Sequence, residues 1–233
     1  MHSFYLMSIR DPFERTVSGF VYGHPWNVQA RGEQVIFWNI RRKEGGIIHP
    51  KCFETLEQFV ENIGDEPDSF EYDYNQNYAI QKNCTDFCRA AMHSKVRRFI
   101  HLYYNYEKIL SLLPGPLGGE NVTIYVTRQE HLLDDWTHIN RLLGETGEIV
   151  FARETDVRNT TGMKLPVTRD LSEQGRHRLC NALVKEYKIY IEFLLHAVNL
   201  NQEDAEEELQ RSRKHCPELS ILSEEYWNKR IAS

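Results

Sequence analysis

One junction near the start of this chain constrains its fold more than any other stretch. Residues 4–9 form a short apolar run that reads as a buried strand, and the run stops at Arg10. Asp11 can then cap a helix, Pro12 suits the first helical position, and Glu14 stands where a capping box needs it. Phe13, Val17, Phe20 and Val21 fall on one helical face, the face that packs on a sheet. Ser18 lies seven residues past the cap, close to two turns, and so returns to the side of the helix start. A guanidinium at a strand end, a helix N-terminus and a hydroxyl two turns along can converge on one anion. A phosphate suits all three.

The pattern Arg-Asp-Pro, with an Arg four residues beyond the Asp and a Ser three beyond that, resembles the 3′-phosphate-binding segment of sulfotransferases. Those enzymes use 3′-phosphoadenosine 5′-phosphosulfate (PAPS) as donor. The resemblance implies that Arg10 and Ser18 hold the donor's 3′-phosphate. An ordinary strand-to-helix junction remains the plain alternative, with Arg10 paired to a local carboxylate and Ser18 bonded back to its own helix.

Two later stretches extend the resemblance over most of residues 1–200. Residues 122–127 read as a second strand, followed by Arg128-Gln129-Glu130-His131-Leu132 and a helix over 134–143 that closes at Gly144. Trp136, Ile139, Leu142 and Leu143 carry helical spacing there. The run VTRQEHLLDDWTHINRLLG looks like the family's second core strand and following helix, where "E-x-L-x-x-D-W/F" is usual. Residues 157–200, beginning VRNTTGMKLPVTRD, resemble the family's C-terminal end, an Asn-containing loop before a long helix that covers the sheet. The implied fold is α/β, a P-loop-type sulfotransferase fold with a parallel sheet flanked by helices. Residues 1–200 would be the C-terminal portion of that domain, and 201–233 an acidic helical tail packed on or extending from it.

Composition fits one α/β unit. A chain of 233 residues with 41% hydrophobic content can bury a full core. A net charge of −6 argues against a general nucleic-acid binder, which needs a broad basic face. No run of eighteen apolar residues is present, so no membrane span is expected in this sequence, and the first residues lack the signature of a signal peptide.

The middle of the chain is less regular. Residues 23–50 mix Trp26, Phe37 and Trp38 with turn formers and the basic cluster Arg41-Arg42-Lys43, and read as an acceptor-side loop with a solvated helix end. Residues 53–63 have a helical apolar face in Leu56, Phe59, Val60 and Ile63. Residues 94–113 read as one long amphipathic helix, with Tyr103, Tyr104 and Tyr106 as packing residues. Around residues 75–84 lies a weak likeness to a stretch near the acceptor cleft of glycan sulfotransferases, from which no residue role carries over.

Five cysteines, Cys52, Cys84, Cys88, Cys180 and Cys216, lack zinc-site spacing, and no metal is expected. In an oxidising lumen Cys84 can bridge Cys88 or Cys52; in the cytoplasm all five are thiols. Asn83, Asn121 and Asn159 each open an Asn-x-Ser/Thr acceptor sequence, which tilts the expectation towards a glycoprotein of the secretory pathway, in the Golgi lumen. The cytoplasm is the alternative.

The resemblance also implies an upstream Gly/Ser/Thr-rich loop, bearing a catalytic Lys, that cradles the 5′-phosphosulfate. Only four residues precede Tyr5, so the first strand-loop-helix is expected to be missing and the chain to retain the 3′-phosphate-binding half. In the whole enzyme the sulfuryl group would pass in line from PAPS to an acceptor hydroxyl, a glycan's by resemblance, while a base takes the proton. Within this chain Lys164 is a candidate second cation for the phosphates, or else an exposed loop lysine. His131 can face the cleft but reads better as structural. A non-catalytic module that binds the nucleotide or a glycan, and an unrelated α/β interaction protein, are the competing classes.

Overall fold

A computed structural model describes residues 2–32, 52–64, 84–94, 102, 104–119, 122–145, 164–223 and 227. Strand β1 spans Ser3–Ile9 and strand β2 spans Val122–Arg128. They pair in parallel, Ser3 opposite Val122 and Ile9 opposite Arg128, as one sheet of an α/β fold. Side chains alternate along a strand. Met7 and Ile9 accordingly enter the core, whereas Phe4 (65% exposed) and Leu6 (51%) face away from it. The far edge of β2 is closed by residues 197–199. Val198 donates its N–H to Ile124 at 3.0 Å, and the Asn199 side chain bonds both the N–H and the C=O of Val126 at 2.8 Å each. An amide side chain here completes a ladder that backbone would otherwise supply.

Helix α1 spans Pro12–Gly23 and starts with Pro12 in the first turn and the Asp11 carboxylate accepting the Glu14 N–H at 3.0 Å, as its sequence predicts. The Glu14 side chain, however, turns to Arg10 at 3.0 Å instead of closing the expected capping box. Its apolar face, Phe13, Val17, Phe20 and Val21, is buried. Helix α2 (Pro25–Ala30) follows at once, then α3 (Leu56–Glu61), capped by Thr55, and α4 (Cys84–Met92). The long helix expected over 94–113 is not continuous. Ser94 turns with φ 57°, and Asn105 caps a separate short helix α5 (Tyr106–Leu110) by accepting the Lys108 N–H. An Asn able to satisfy a free helix-start donor begins a new element where apolar periodicity alone runs through. Tyr106 is buried, as expected of a packing residue, and Tyr104 is exposed.

Helix α6 (Leu132–Leu142) follows β2 through a short turn at Gln129–His131. It starts two residues earlier than its sequence suggests, and Leu142 (50% exposed) and Leu143 (59%) lie outside the core with Ile139 inside. Gly144 closes it at φ 88°. The C-terminal part forms α7 (Glu173–Ala182), α8 (Val184–His196) and α9 (Gln202–His215). Helix α8 carries Tyr187, Tyr190, Ile191 and Phe193 into the centre. Helix α9 belongs to the same core, burying Ala205, Glu208, Leu209 and Ser212.

Disulfides join Cys52 to Cys84 and Cys180 to Cys216, leaving Cys88 free and buried. The first is one of the two pairings the sequence allowed for Cys84. The second ties α7 to the end of α9. No helix of the described residues is long and apolar enough to cross a membrane.

Candidate functional site

The β1–α1 junction is held from three sides. The hydroxyl of Tyr106, on α5, accepts the Arg10 N–H at 2.8 Å and donates to the Arg10 carbonyl. Burial pushes the Tyr106 phenol up from its ordinary range, so it stays protonated and can donate. The Asp11 carboxylate is fully buried. Besides capping α1 it accepts from the Tyr187 hydroxyl at 3.1 Å and the Ser212 hydroxyl at 2.6 Å, which fastens α1 to α8 and α9.

Arg10 thereby stands at the carboxyl end of β1 with its backbone fixed. Its guanidinium meets Glu14 at 3.0 Å and lies 3.8 Å from Glu130. The Glu14 carboxylate is shared with Arg169 at 3.3 Å and His215 at 3.6 Å, so it does not answer Arg10 alone. The buried Nε of Arg10 has no hydrogen-bond partner among the described residues.

Arg10 opens onto a cavity of about 360 Å³ lined by Ser8, Ile9, Arg10, Arg15, Ser18, Gly19, Tyr22 and Gln129. One wall is the carboxyl ends of the two parallel strands, where open α/β sheets bind ligands. The other is a stripe of α1, residues 15, 18, 19 and 22, at the i, i+3, i+4, i+7 spacing of one helix face. Gly19 leaves the middle of that stripe without a side chain, and Ser18 is half-buried beside it. Guanidinium groups, serine hydroxyls, a phenol and an amide make this a donor-rich wall, suited to an anion.

Arg10 and Ser18, predicted from sequence, therefore meet in one cavity. Arg15 belongs there too. The motif spacing included it, but it had been given no role, and the signal was its place three residues before Ser18. Tyr22 and Gln129 were also missed: Tyr22 stands one turn beyond Ser18 on the same face of α1, and Gln129 directly follows β2. Lys164 is exposed and does not line the cavity. His131 sits apart from it, 3.3 Å from Glu207 and 3.9 Å from Glu208, as a structural residue does. Arg41 to Lys43, Asn83, Asn121 and Asn159 lie outside the described residues. Among the described residues no group of three or more His, Cys, Asp or Glu side chains could hold a metal ion.

No family model, curated protein or solved structure matches this chain.

Proposed function

We propose that this chain carries the 3′-phosphate-binding half of a P-loop-type sulfotransferase fold, serving transfer of a sulfuryl group from PAPS to a hydroxyl of an acceptor, a glycan by resemblance. The observation that carries the reading is the meeting of Arg10 and Ser18 in a donor-lined cavity at the carboxyl ends of β1 and β2. The Arg10 Nε makes no hydrogen bond among the described residues and only a 3.8 Å ion-pair contact with Glu130, so a phosphate oxygen, a charged acceptor, would give that buried N–H the short bond it lacks.

In this reading the chain's own residues bind and orient. Arg10 supplies charge, Ser18 a hydroxyl donor, and Asp11 fixes the start of α1 so that both keep their positions. PAPS enters as a substrate held by its 3′-phosphate, which sets the position of its sulfonate end. Two disulfides and three Asn-x-Ser/Thr sequences support a setting in the Golgi lumen, where thiols oxidise and glycans are built.

The test is an assay with labelled PAPS and a panel of glycan acceptors, run on the 233-residue chain and on a form extended by its upstream coding sequence. Transfer by the extended form, lost in Arg10→Ala, supports the reading. Nucleotide binding without transfer by either form would favour the non-catalytic module, and neither binding nor transfer would dismiss both.

A further inference from the structure

Arg15 lines the same cavity as Arg10 but is held quite differently. Its Nη1 donates to the Tyr104 carbonyl at 2.7 Å, its Nη2 meets Glu186 at 3.1 Å, and the guanidinium lies over the Tyr106 ring, 4.7 Å from the centroid. Both terminal nitrogens and one face are thus occupied. The Nε is buried and has no hydrogen-bond partner among the described residues. Arg10 and Arg15 are the only described arginines with a nitrogen in that condition, and both line the cavity.

Charge balance points the same way. Glu186, the carboxylate facing Arg15, also accepts the N–H groups of Tyr106 at 2.7 Å and Glu107 at 3.1 Å. Its negative charge is spread over three donors, as that of Glu14 is spread over Arg10, Arg169 and His215. Arg10 also faces Glu130 at 3.8 Å, a carboxylate that Arg211 meets more closely at 3.2 Å. Two cations with shared counter-charges thus flank one cavity, and Ser18 lies one helical turn beyond Arg15 on the same face.

We infer that Arg15 binds the same anion as Arg10, and that the pair makes the cavity select a doubly charged phosphate monoester over a singly charged phosphodiester or sulfate ester. This rests on reading the cavity as a phosphate site. A terminal phosphate carries about −1.5 to −2 charges at neutral pH and three acceptor oxygens, enough for two guanidinium N–H groups and a hydroxyl at once. A diester carries one charge and two free oxygens, and leaves one donor short. In PAPS the 5′-phosphate is tied up in the phosphosulfate and the 3′-phosphate is the one monoester, so this pair would read the feature that separates the donor from its 3′-dephosphorylated form.

The experiment titrates the full chain with adenosine 3′-phosphate and with its 3′-methyl diester. Wild type should prefer the monoester at least tenfold, and the preference should grow from pH 5 to 7.5 as the monoester loses its second proton near pH 6. Arg15→Gln should cut the preference to about threefold or less. Because Arg15 also braces Glu186, the wild type is followed in parallel by the assigned Nε–H NMR signals of Arg10 and Arg15. Both should move on adding adenosine 3′-phosphate. Movement of Arg10 alone, with Arg15→Gln binding as wild type, would overturn the role of Arg15 and leave the phosphate site standing. If neither signal moves and wild type does not bind the monoester, the phosphate reading itself falls.

Discussion

The Ser212 hydroxyl donates to the Asp11 carboxylate at 2.6 Å across 201 positions of sequence, and so the last long helix fastens the first. Asp11 also takes the Tyr187 hydroxyl and the Glu14 N–H, and it is fully buried. The residue that starts α1 therefore holds three elements together. Replacing it by Ala strands buried donors at about 1–3 kcal/mol each and removes a cap worth about 1 kcal/mol. Asp11→Ala should lower unfolding stability by about 3 kcal/mol or more in a urea titration, and Ser212→Ala by about 1 kcal/mol. Equal, small losses for both would show that the junction is held by packing alone.

The Arg128 guanidinium is buried and doubly bonded to Asp135, at 2.7 and 3.0 Å, with Asp204 at 2.9 Å. Removing one carboxylate leaves a buried cation short of a partner, a loss of about 3–5 kcal/mol when the pair is fully buried. Asp135→Ala should cost that much, and Asp204→Ala less, because Asp204 is partly exposed. Chemical denaturation of the two variants checks the order.

How much of this was legible beforehand follows from locality. The cap at Asp11, Pro12 and the apolar face of α1 act within a few residues, so the sequence displays them, and the parallel pairing of β1 with β2 matches its expectation. The partners of Asp11 on α8 and α9 are set by tertiary packing and leave no local mark. The same holds for Cys180 and Cys216, since spacing does not fix which thiols meet. In α6, Leu142 and Leu143 share the periodicity of Ile139, yet the core ends before them; periodicity gives a face but not the extent of what covers it. Arg15 reads as a helix residue until Tyr104 and Glu186 are placed around it.

Burial pushes the Glu186 carboxyl up from its ordinary value of 4.5, against the pull of Arg15 and the Tyr106 and Glu107 N–H groups. The folded state then holds its proton to higher pH than the unfolded chain does. That contribution to stability is fully present below about pH 4.5 and is lost as pH rises through the folded-state value. Comparing wild type with Glu186→Gln by thermal unfolding from pH 4 upward should show the advantage of wild type shrinking with pH. An advantage growing with pH would mean that the Arg15 pairing outweighs burial.

Five cysteines with two disulfides leave one thiol per chain, the buried Cys88. A thiol reagent should find none readily in the native protein and one after non-reducing denaturation. The Cys180–Cys216 link closes a separation of 36 residues, for which loop entropy gives about 3–4 kcal/mol, and the Cys180→Ser/Cys216→Ser pair should lose about that much. Five reactive thiols on denaturation would place the protein in its reduced form.

The most direct test of the account is calorimetric titration of adenosine 3′,5′-bisphosphate into wild type, Arg10→Ala and Ser18→Ala. Wild type should bind, Arg10→Ala should lose about 1.5–3 kcal/mol, as for a charge-assisted hydrogen bond, and Ser18→Ala about 0.5–1.5 kcal/mol. Equal affinity of wild type and Arg10→Ala would contradict the central claim that this junction is a phosphate site.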